Sequence, residues 1–154
     1  MSETAINIIL IIVLVAAVFY NIYARFRRSM RSPMGRVISI LGNLKKNAKL
    51  LDTPPSSRGM DRLKTDAWHR SKEHIGFLPD DIQHGLAKTF GICDEINDRI
   101  DSARKFKSSS YLAGIDLSHL AEPLSRSREQ LQEWAKENIY NPEYSPPKRR
   151  RLFG

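Results

Sequence analysis

Only one cysteine, Cys93, occurs in the 154 residues. That excludes an intrachain disulfide and a cysteine-built metal cluster, and it suits a reducing compartment. Also missing are a glycine-rich phosphate loop, a nucleophile elbow and a zinc-binding spacing. Without them the chain is expected to be no enzyme and to need no cofactor and no metal. No stretch alternates apolar and polar residues as a half-buried strand would, and no repeat is visible, so the expected class is all-α.

Two local absences of charge are as informative. No charged residue falls between Glu3 and Arg25, and no acid falls between residues 25 and 51. The first gap contains "AINIILIIVLVAAVFYNIYA", Ala5 to Ala24, whose strongly polar positions are Asn7 and Asn21, one near each end. Twenty residues of helix reach about 30 Å, the thickness of a bilayer's hydrocarbon. A cleaved signal peptide begins with basic residues and leaves through small ones. Here "MSET" is not basic, and the run leaves through Phe19, Tyr20 and Tyr23. The expectation is a single transmembrane anchor over residues 1–24.

The second gap orients it. Arg25, Arg27, Arg28, Arg31 and Arg36 all follow the run, and positive flanks stay on the cytoplasmic side. The N-terminus is therefore expected outside, and the rest in the cytoplasm against anionic inner-leaflet lipids. The net charge of +8 would suggest a nucleic-acid binder, but its distribution argues otherwise. Residues 25–51 carry eight basic residues and no acid, whereas 52–147 carry thirteen basic and sixteen acidic ones. A folded part that is net acidic lacks the electrostatic footprint for DNA or RNA, so no nucleic-acid partner is expected.

The segment 25–51 reads as a basic juxtamembrane stretch. Val37, Ile40, Leu41, Leu44, Ala48 and Leu51 recur at helical spacing, with Lys45, Lys46 and Lys49 among the polar positions. Such a helix either lies on anionic lipid, making those lysines and the five arginines membrane-surface contacts, or packs on the domain that follows. Residues 52–59, "DTPPSSRG", read as a linker.

Residues 60–141 read as a helical domain. A weaker helical pattern covers Met60 to Ile75, and Pro79-Asp80-Asp81 starts the clearest helix. That helix carries Ile82, Leu86, Phe90, Cys93, Ile96, Ile100 and Ala103 in a heptad-like stripe to about Lys107. A final helix carries Leu117, Leu124 and Leu131 seven apart, and Pro123 either starts it or kinks it. The expected architecture is an antiparallel hairpin, or three-helix bundle, with Ile96 and Ile100 facing Leu124 and Leu131.

Few side chains suggest chemistry. Asp81-x-x-His84 and Asp116-x-x-His119 repeat a carboxylate–histidine spacing, but both aspartates sit where helices start, at opposite ends of the hairpin. Asp94, Glu95, Asp98 and Asp101 read as a solvated face or an acidic docking surface. Residues 142–154 read as a disordered basic tail. Within it "SPPK" is similar to a proline-directed kinase site, and "RRLF" to cyclin-docking peptides. Lys148, Arg149, Arg150, Arg151, Leu152 and Phe153 are its candidate partner-binding residues. The functional expectation is a membrane-tethered adaptor or accessory subunit of a membrane complex. The alternative is a sensor of lipid charge or of a soluble regulator, working through the basic amphipathic helix.

Overall fold

The computed structural model describes residues 3–29, 31–53, 61–106 and 114–145, with the side chains of 3–7 and 25–29 left out of the description. Among these residues every regular element is helical: α1 (Glu3–Ser29), α2 (Pro33–Asp52), α3 (Asp66–Ser71) with a 3-10 turn (Lys72–His74), α4 (Asp80–Lys105) and α5 (Ser118–Asn138). The all-α expectation holds. The tail residues Lys148 to Phe153 lie outside the described residues.

Alpha helix α1 carries exposed apolar side chains along its described length, from Ile8 to Tyr23. Among the described residues, however, no helix is long and apolar enough to cross a membrane, so the expected transmembrane span is not supported.

Helix α2 begins where proline permits. Ser32 caps it, its Oγ accepting from the Gly35 N–H at 3.0 Å, and Pro33 sits in the first turn where its missing N–H costs nothing. The stripe of α2 points inward: Val37, Ile40 and Leu44 have no exposed surface, and Leu41 is buried. An apolar side chain with no exposed surface has none left to place in lipid. The stripe therefore packs on the rest of the body, and α2 belongs to the same core as the helices after the linker.

Helix α5 packs against both α2 and α4. It runs antiparallel to α4: Gly85 lies against Ser127 and Gln130, and Thr89 against Ser127 and Pro123. The Thr89 hydroxyl donates to the Pro123 carbonyl at 3.1 Å and lies 2.8 Å from the Ser127 hydroxyl. This register corrects the expected pairing. Ile100 lies three turns beyond Thr89, while Leu131 lies one turn beyond Ser127 in the opposite direction. The two are about 22 Å apart along the bundle. Leu131 is level with the start of α4, and Ile100 with the stretch around Ile115. Pro123 does not start α5, which is one continuous helix with the proline in its second turn.

Between α2 and α4 runs the irregular stretch 61–65, followed by α3, where the sequence pattern suggests one longer helix. Asn97 on α4 takes both backbone atoms of Leu63: its Oδ1 accepts from the N–H at 2.8 Å, and its Nδ2 donates to the carbonyl at 2.9 Å. Asn47 on α2 does the same for Lys64, at 2.6 and 2.9 Å. Asn43 accepts from the Ala67 N–H at 2.8 Å and donates to Asp66 Oδ1 at 3.1 Å. Backbone groups gripped from both sides cannot close helical bonds, which keeps 61–65 out of a helix. No buried side-chain nitrogen or oxygen among the described residues lacks a partner. The body closes with Trp68 stacked on Phe90, centroids 5.2 Å apart, and with the tilted cluster of Phe77, Trp134 and Tyr144. The Tyr144 carbonyl accepts from the Met34 N–H at 3.0 Å, so the chain after α5 folds back onto the start of α2.

Candidate interaction surfaces

The residues expected at a membrane surface do not share one face. Successive helical residues turn by about 100°. Arg36 therefore points to the side of α2 opposite Lys45, with Lys49 about 40° from Lys45 and Lys46 between the two sides. Arg36 is half-buried and donates from its guanidinium to the His74 carbonyl at 3.1 Å, which ties α2 to the 3-10 turn. Arg31, Lys45, Lys46 and Lys49 are exposed. The side chains of Arg25, Arg27 and Arg28 lie outside the described residues.

The histidines are occupied locally. His84 Nδ1 lies 2.7 Å from the carbonyl oxygen of Asp80, one turn back, and has no bond to Asp81. His119 Nε2 lies 3.3 Å from Asp116 Oδ2. Asp116 caps the entry to α5, and the Ser118 side chain and N–H hold its carboxyl below the usual range. The antiparallel register keeps the two Asp-x-x-His pairs at opposite ends of the body. Among the described residues no group of three or more His, Cys, Asp or Glu is placed to hold a metal ion.

The acidic face of α4 is largely paired. His69 Nε2 sits 3.0 Å from Asp94, Arg99 lies 2.6 Å from Glu95, and Arg62 lies 3.3 Å from Asp101. All are solvent-facing, where such pairs contribute about 0–1 kcal/mol each, so this face is better explained as a solvated surface than as a docking site. Cys93 is buried. Burial, with the neighbouring Asp94 charge, pushes its thiol up to about 12 against the opposing effect of the Asn47 amide. A thiol held protonated is no nucleophile.

Two open clefts border α2 near its C-terminus. One, of about 480 Å³ between α2 and α5, mixes Lys45, Lys49, Arg128 and Lys136 with Asp52, Glu129 and Glu133. The other, of about 520 Å³, is lined by Lys46, Lys49, Arg62, Lys64 and Arg104 against a single carboxylate, Asp61. Sequence reasoning finds Lys46 and Lys49 but not the other three, which lie 13 to 58 residues further along the chain and show no common spacing. Apolar side chains also stand clear of the body: Ile38 on α2, Phe106 after α4 and Tyr140 after α5. Compared with known protein families, curated proteins and solved structures, the chain matches none.

Proposed function

We propose that this chain is a single-pass membrane protein that works without catalysis, as a tethered adaptor or accessory subunit whose cytoplasmic helical body binds another protein. The observation that carries this reading is α1. Its side chains from Ile8 to Tyr23 are apolar around the whole circumference, apart from Asn21, and the body buries none of them. A helix apolar on every side needs to be covered. Each large side chain left in water forgoes about 1.5–3 kcal/mol. Summed over the run, that exceeds the roughly 5–15 kcal/mol that holds a whole domain together. The uncharged stretch Ala5 to Ala24 is long enough for lipid to cover it, and the arginines after it favour a cytoplasmic body and contact with anionic headgroups.

The adaptor half of the proposal draws support from Ile38, Phe106 and Tyr140. These are large apolar side chains on the body surface with no partner in the core. The lipid-sensing alternative loses its main support, because the apolar stripe of α2 is spent on the bundle.

Capture of the full chain from mild detergent tests the reading. A specific partner should be lost with Ile38→Ser and Tyr140→Ser, while Leu14→Arg should release the chain from membranes and leave the body folded. Capture unchanged by both surface variants, or a chain that is soluble without any variant, would overturn it.

A further inference from the structure

At the end of the body remote from the α1 junction, five cations from three separate stretches of chain surround one cleft. Lys46 and Lys49 come from the last turns of α2. Arg62 and Lys64 come from the irregular stretch gripped by Asn47 and Asn97, and Arg104 comes from the last turn of α4. The cleft measures about 520 Å³, within the range of small-ligand sites, with Leu50 as an apolar part of its lining.

Much of that charge has no answer. Asp101 pairs with Arg62 at 3.3 Å, and Asp61 lines the rim. Among the described residues Lys46, Lys49 and Lys64 have no ion-pair partner. Asp61 and the negative ends of two helix dipoles offset part of the charge of these three lysines, and a positive excess remains. The neighbouring cleft, where acids and bases alternate, shows no such excess.

We propose that this cleft binds a multiply charged phosphate compound of nucleotide or inositol-phosphate size. A phosphate monoester concentrates about −1.5 to −2 in one compact group, which matches the excess within one small volume. Carboxylates would need several side chains crowded into the same space. Lysine ammonium groups serve as point-charge phosphate ligands, and three of them line this cleft. The source is either a soluble phosphate or a phosphorylated lipid headgroup. Lys46 and Lys49 lie about 20–24 Å along α2 from Pro33, and the experiment distinguishes the two sources.

The test uses the full chain in nanodiscs of neutral lipid, titrated by calorimetry with inositol hexakisphosphate and, separately, with a nucleoside triphosphate. A second preparation carries phosphoinositide in the disc. One-to-one saturable binding is expected, weakened at least tenfold in Lys46→Gln/Lys49→Gln/Lys64→Gln. It should be unchanged in the control Lys45→Gln/Lys136→Gln, which removes the same kind of charge from the neighbouring cleft. The triple variant should melt no lower than the parent, since it relieves like-charge repulsion. Binding to the soluble compounds in neutral discs supports the site with a soluble ligand. Binding that needs the phosphoinositide disc supports it with a headgroup. The proposal is overturned by no saturable binding to either source, by equal weakening in the control variant, or by equal binding of polyglutamate. These outcomes are independent of whether α1 spans a membrane.

Discussion

Asn97 holds Leu63 by both of its backbone atoms, accepting from the N–H at 2.8 Å and donating to the carbonyl at 2.9 Å, inside a site that is almost fully buried. One side chain thus replaces the two hydrogen bonds that a neighbouring strand would have supplied. Asn97→Ala should leave two backbone groups without partners, at about 1–3 kcal/mol each. Asn97→Asp should also destabilise at neutral pH, because a carboxylate cannot donate to the Leu63 carbonyl. Thermal denaturation checks both. A melting point within a degree of the parent for Asn97→Ala would mean that the stretch 61–65 is held by something else.

Gly91 lies on the exposed side of α4, and a Cβ built there meets nothing within 4 Å. Its cost is purely that of a flexible residue in mid-helix. Gly91→Ala should therefore raise stability by about 0.5–1 kcal/mol, read from chemical denaturation. A loss of stability would show that this face is covered by another element or by a second molecule.

Asp66 couples the fold to pH. Burial pushes its carboxyl up, but the Asn43 amide, the charge and hydrogen bond of Arg70 and a backbone bond together outweigh it and leave the group below its ordinary value. A depressed carboxylate contributes stability that is present above the unfolded value near 3.9 and is lost as pH falls through the folded one. The stability gap between the parent and Asp66→Asn should accordingly be constant at neutral pH and shrink below about pH 4. A gap that widens on acidification would contradict the direction of the shift.

Cys93 offers a probe of opening. Buried and protonated, it should resist a thiol-reactive dye in the native protein and react fully in denaturant. Rapid labelling of the native chain would mean that the core between α2 and α4 opens far more readily than its hydrogen bonds suggest.

Much of the helical layout is legible from spacing alone. The α4 stripe is buried from Ile82 to Ala103, and Ser32-Pro33 marks the break between α1 and α2. The register of α4 against α5 is not legible, because leucines seven apart match one another at several offsets. The small contacts that select among those offsets, Thr89 with Ser127 and the Gly85 notch, have no apolar signature. The stretch 61–65 escapes the helical pattern for a related reason: what keeps it from closing helical bonds is a pair of asparagines distant in sequence. Asn47 does leave a trace, since it sits within the apolar stripe of α2 between Leu44 and Leu51, where a polar residue is costly unless it is bonded. Tyr144 extends the folded body past Asn141, where a proline and a run of polar residues suggest a loose tail. The basic cleft joins residues from both sides of a linker, which no periodicity records.

The anchor is tested most directly by labelling single cysteines introduced at Ser2 or at Ser145 in intact cells, with a membrane-impermeant thiol reagent and the buried Cys93 left in place. A span over Ala5 to Ala24 with the arginines inside predicts that the cysteine at position 2 is labelled from outside, and the one at position 145 only after permeabilisation. Labelling of both positions only after permeabilisation, with the chain recovered in the soluble fraction, would contradict a membrane-tethered body.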